Sequence, residues 1–82
     1  MGQWDKLIED ILALSPNLRF EELYKALVRM GYEPQQPRGG SSHYVFRKRG
    51  CTPITLPKRC PMKRVYIQIV SEAVKRFLEE GQ

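Results

Sequence analysis

The sequence predicts an α+β two-layer sandwich, a three-stranded antiparallel sheet with helices on one face, in the order α-α-β-β-β-α. Three observations predict it. Apolar residues recur at helical spacing near both ends of the chain, over residues 3–14, 19–30 and 62–80. Between the second and third of these lie short runs rich in Tyr, Val, Phe, Ile and Thr. Gly- and Pro-bearing turns punctuate those runs, and short strands backed by helices form a layered α+β domain. Eighty-two residues make one domain with a small core.

The first helix is predicted from Gln3 to Leu14. Trp4, Leu7, Ile8, Ile11 and Leu12 form one side, with Asp5, Lys6, Glu9 and Asp10 opposite. Its polar side is acidic, which anionic lipid would repel, so the apolar side is expected to dock on the domain. Ser15-Pro16-Asn17 ends it. The second helix is predicted from Arg19 to Met30, with Phe20, Leu23, Tyr24, Leu27 and Val28 as its stripe. Glu21 and Glu22 favour its start, Arg29 its end, and Gly31 supplies a left-handed stop.

Tyr32–Gln36 is a weak strand, limited by Pro34 and Pro37 to an edge or a brief pairing. Arg38-Gly39-Gly40-Ser41 is a turn, Ser42–Lys48 the strongest strand, and Thr52–Leu56 a third strand after the Arg49-Gly50 turn. Alternation assigns Tyr44, Phe46, Ile54 and Leu56 to the core and leaves His43, Val45 and Arg47 on the opposite, open face. The two aromatic rings are thereby read as core rather than as base-stacking platforms. The last helix, Met62–Glu80, has Val65, Ile69, Ala73, Val74, Phe77 and Leu78 as its expected stripe. Lys63 and Arg64 fall in its first turn, where the helix dipole disfavours cations unless that end meets a phosphate.

Charge is distributed unevenly. Formal charge is +5, but residues 34–70 hold eight Lys or Arg and no Asp or Glu. A single-sign segment of this kind is the footprint of a polyanion-binding patch, whereas a solubility surface mixes both signs. His43, the only histidine, lies inside it. A neutral imidazole suits proton transfer near pH 7, so His43 is the candidate acid–base group on a phosphate backbone. A lone histidine at a strand start is otherwise a structural residue. The basic surroundings and the open-face placement favour catalysis. Arg47, Lys48, Lys58, Arg59 and Lys63 are the candidate phosphate contacts.

No apolar run approaches the ~20 residues that cross a bilayer. Charged residues interrupt any secretory core at the N-terminus, so a cytoplasmic location and no membrane partner are expected. A reducing compartment disfavours a disulfide between Cys51 and Cys60. With His43 these two supply only three ligands and no Cys-x-x-Cys pair, so no metal and no cofactor are expected.

A helix ending in Gly31-Tyr32, a Gly40-Ser41-x-His43 motif opening a strand, a Leu56-Pro57-Lys58-Arg59 segment and a closing helix together resemble the HicA toxins of HicAB toxin–antitoxin systems. The resemblance covers residues 19–79, leaving 1–16 as an N-terminal helical extension. It implies a double-stranded-RNA-binding-like fold and a metal-independent endoribonuclease that cleaves mRNA and is held inactive by a HicB-type antitoxin. His43 corresponds to the family's catalytic histidine, and Gly40 and Ser41 to the turn that presents it. Two departures stand out. The first helix is extra relative to the shortest members, and Ser42 occupies a position where some relatives carry a second histidine.

Without metal, the nucleophile is the RNA 2′-hydroxyl attacking the adjacent phosphorus. His43 then takes one proton transfer, and water, a tyrosine or a lysine the other. Ser41 either hydrogen-bonds a phosphate oxygen or the imidazole, or caps its own turn. Two rival classes share the charge pattern. One is a non-catalytic module that binds RNA duplex by shape, and the other is a basic adaptor for an acidic protein.

Overall fold

The computed structural model describes residues 3–36, 43–58 and 62–80. Its elements are α1 (Gln3–Leu12), α2 (Phe20–Arg29), β1 (Glu33–Gln35), β2 (His43–Arg47), β3 (Ile54–Pro57) and α3 (Arg64–Glu80). The sheet is antiparallel with β2 at its centre and order β1-β2-β3. The α+β class, the element order and the three-stranded sheet are as the sequence predicts. No helix among the described residues is long and apolar enough to cross a membrane.

Local chemistry explains each boundary. The Glu22 carboxylate accepts the Arg19 backbone N–H at 2.9 Å, satisfying one orphan donor at the start of α2. At the other end Gly31 has φ +104°, its N–H reaches Val28 O at 3.0 Å, and the Tyr32 N–H reaches Leu27 O at 3.0 Å. This is a Schellman stop, and the buried side chains of Leu27 and Tyr32 close it. The same motif ends α1 two residues before the predicted Leu14. Leu14 takes φ 56°, its N–H bonding Ile11 O and the Ser15 N–H bonding Asp10 O, each at 3.0 Å. The spacing of apolar residues carries no sign of this, because a leucine occupies the left-handed position. β3 starts at Ile54 rather than Thr52, since Pro53 offers no N–H to a ladder. Pro34 and Pro57 both sit on edge strands, where a missing donor is tolerated.

Register follows burial. Phe46 pairs with Ile54 and Tyr44 with Leu56, placing all four on the helix-covered face. Phe46, Ile54 and Leu56 are buried, and Tyr44 is half-buried against them. Phe20 and Tyr24 of α2 meet this face, with ring centroids 5.1 Å between Phe20 and Tyr44 and 5.5 Å between Tyr24 and Phe46. Ile8 and Ile11 of α1 join the same core, together with Ile67, Val70 and Val74 of α3.

The buried side of α3 differs from the predicted stripe. Val65, Ile69 and Leu78 are 52%, 42% and 40% exposed, while Ile67, Val70, Ser71 and Val74 face inward. Ser71 interrupts the apolar pattern and so disguises the phase of the helix. Its hydroxyl donates to Gln68 O at 2.9 Å, which satisfies it in the core. Val28 of α2 is likewise exposed, its buried place taken by Ala26.

Phe46, fully buried at the centre of this packing, should dominate stability. Phe46→Ala is expected to cost about 3–5 kcal/mol in urea unfolding, and Val65→Ala a small fraction of that. Comparable losses for the two variants would contradict the packing described.

Candidate functional site

Strand β2 carries the core on one side and the candidate site on the other. The face away from the helices presents Glu33 and Gln35 from β1, His43, Val45 and Arg47 from β2, and Thr55 from β3. Pro57, paired with His43, shares this face and is buried, Val45 is half-buried, and the other five are exposed. His43 stands at the first position of the central strand, with Pro57 as its cross-strand neighbour, and so occupies one end of the sheet.

The four basic candidates among the described residues do not form one cluster. Arg47 shares the open face with His43 but lies four residues along, ~13 Å at strand rise. Its Nε–H donates to Gln35 Oε1 at 3.1 Å. Gln35 pairs with Val45, so this bond leans the guanidinium back toward the His43 end. The remaining N–H groups of the fork can meet a phosphate. Arg47 and His43 therefore do not converge on one point of the open face.

Lys48 follows the opposite phase of the alternation. It lies at the far end of β2, and its ammonium sits 5.0 Å from the Phe77 ring centroid and 5.7 Å from that of Tyr32. These cation–π contacts join α3 to the end of the sheet, apart from His43. Lys58 follows Pro57, one residue beyond the cross-strand neighbour of His43, and its side chain lines a groove between α2 and the sheet. Lys63 is exposed immediately before α3, and its carbonyl accepts the first helical N–H, from Tyr66 at 3.0 Å. Gly40, Ser41 and Arg59 lie outside the described residues, as do Ser42 and Cys60. Among the described residues no group of three or more His, Cys, Asp or Glu side chains comes together as a metal site.

The groove beside Lys58 has no counterpart among the residues singled out in the sequence as a site. Tyr24 and Lys25 of α2 and Gln36 after β1 line it, at the same end of the sheet as His43. Tyr24 falls in an apolar helical stripe and so reads as core, and the half-buried ring in fact serves both core and groove. At the opposite end, Tyr32 is buried beside the free thiol of Cys51. Burial pushes the Tyr32 phenol above its ordinary 10.0, and Cys51 and Glu80 push it further, while Arg76 opposes them.

No family model, curated protein or solved structure matches this chain.

The raised Tyr32 phenol has a consequence for stability. The folded state holds its proton more tightly than the unfolded chain does. Its contribution is therefore fully present below about pH 10 and falls as pH rises beyond that value. Urea midpoints measured from about pH 9 to pH 11 should fall more steeply for wild type than for Tyr32→Phe, and equal slopes would remove Tyr32 from this role.

Proposed function

We propose that this chain is a HicA-type toxin, a metal-independent endoribonuclease that cleaves mRNA with a single imidazole in the cytoplasm and is neutralised by a HicB-type antitoxin. The observation that carries this reading is the position of His43. It is exposed at the end of the central strand, on the face away from the helices, with Arg47 on that face and Lys58 just past its cross-strand neighbour. The order α2-β1-β2-β3-α3, with helices on one side of an antiparallel sheet, suits a double-stranded-RNA-binding-like domain and supports the resemblance over residues 19–79.

The chemistry then follows from what one imidazole can do. His43 takes the proton of a 2′-hydroxyl as its oxygen bonds to phosphorus. The phosphorus–5′-oxygen bond breaks, and the departing oxygen takes a proton from water or from a nearby acid. The products are a 2′,3′-cyclic phosphate and a 5′-hydroxyl end. Arg47 fixes the neighbouring phosphate, and Lys58, past the sheet end on the helix side, adds positive charge that draws the strand toward that end. Gly40 and Ser41 enter by the same resemblance as the turn that presents His43, and Arg59 and Lys63, from the acid-free basic segment, are further phosphate contacts. With a single positioned acid–base group the enzyme is slow, since such a group contributes about 10²–10⁴-fold. The antitoxin covers the basic face by presenting acidic side chains where phosphates would lie.

Purified wild-type protein should cleave RNA in the presence of EDTA and leave cyclic-phosphate ends. His43→Ala should lower the rate about 10²–10⁴-fold while leaving RNA affinity nearly unchanged. Undiminished cleavage by His43→Ala, or cleavage that stops on chelation, would defeat the proposal. Binding without any cleavage would point instead to a non-catalytic RNA-binding module.

A further inference from the structure

We infer that the groove between the N-terminal half of α2 and the His43 end of the sheet is a binding subsite for one unpaired nucleotide, its base stacking on Tyr44 and its phosphate held by Lys25 and Lys58. This inference rests on the RNA reading of His43 and adds a base-binding element to it.

Shape and chemistry both fit. The groove has a volume of about 520 Å³, within the range of small-ligand sites. Tyr44 forms part of its wall and is half-buried. Its ring packs against Phe20, centroids 5.1 Å apart and tilted 50°, and against Tyr24, 6.2 Å away and nearly perpendicular at 82°. A ring fixed on two sides loses little freedom when a base stacks on it, which is what a stacking platform requires. Two exposed lysines, Lys25 from α2 and Lys58 from the end of β3, flank the ring from different elements. Their charges suit a phosphate at either side of the stacked base. Gln36 and Glu21 also line the groove, and they offer an amide and a carboxylate that can accept or donate at a base edge. The single carboxylate leaves the groove net positive, as a nucleotide requires.

Continuity with the proposed catalytic position identifies the occupant. Tyr44 directly follows His43, and Lys58 directly follows Pro57, the residue paired with His43. The two sites therefore occupy the two sides of one sheet end. An RNA strand whose scissile phosphate meets His43 can turn its next base around that end into the groove. A rigid duplex cannot splay a base in this way, so the groove selects single-stranded or looped RNA.

The test compares non-cleavable 2′-O-methyl RNA with an abasic chain of the same length, using the full-length protein and fluorescence anisotropy at several salt concentrations. Base-bearing RNA should bind about tenfold more tightly than the abasic chain, and the ratio should persist as salt rises. Tyr44→Leu should abolish that ratio. Lys58→Gln, an exposed substitution that does not threaten folding, should preserve the ratio and reduce the salt slope by about 0.7. Equal affinities for the two chains, with RNA cleavage by wild type intact, would overturn the subsite and leave the nuclease reading standing. Neither affinity for RNA nor cleavage of it would overturn both.

Discussion

The period-two alternation of β2 is the constraint on which the rest of the structure depends. Phe46 and Tyr44 point into the aromatic layer of α2, and His43 and Arg47 point out. A slip of one residue would bury the imidazole and the guanidinium and expose the two rings. Magnitudes show what prevents the slip. Burying one Phe side chain is worth about 1.5–3 kcal/mol, and each well-placed ring pair adds about 0.5–1.5 kcal/mol. The Arg47–Gln35 bond on the open face is solvent-exposed and lies at the low end of the ~0.5–1.5 kcal/mol for a hydrogen bond. Apolar packing therefore sets the register, and the polar face follows it.

Folding redistributes the charge that the linear chain concentrates. Residues 34–70 hold eight cations, but side chains close in sequence diverge in space. Arg47 reaches the open face, while its neighbour Lys48 stacks over Tyr32 and Phe77. Lys58 lines the groove on the helix side. Glu33, which lies outside the acid-free stretch, pairs across the sheet with Arg47. Among the described residues the cations of this segment thus do not gather at His43 as their spacing in the chain implies.

Much of this was legible in the sequence, and the exceptions have physical causes. Element order, the central position of the strongest strand and the burial of Phe46, Ile54 and Leu56 follow from alternation and turn chemistry. The separation of Lys48 from Arg47 was present in that same alternation, since Lys48 shares the phase of Tyr44 and Phe46. The inward side of α3 was not legible. A core serine that satisfies itself on its own helix looks polar, and the apolar residues beside α1 looked like core. The end of α1 was hidden because a leucine occupies the left-handed stop normally given to glycine. The groove at Tyr44 was hidden for a different reason. Its lining comes from α2, β1, β2 and the end of β3, and no local spacing connects them.

Adjacency of residues 43 and 44 couples packing to chemistry. The ring of Tyr44 is held by Phe20 and Tyr24, so the backbone at the start of β2 is held as well, and His43 inherits that position. In the proposed nuclease one imidazole would have no second group to compensate for a misplaced first, since proton transfer depends steeply on reach. The aromatic layer thus does more than exclude water, because it fixes the backbone from which His43 projects. The position of His43 consequently depends on a core of few side chains. In a domain this small, variants that loosen Phe20, Tyr24 or Phe46 degrade the geometry of the open face before they unfold the chain.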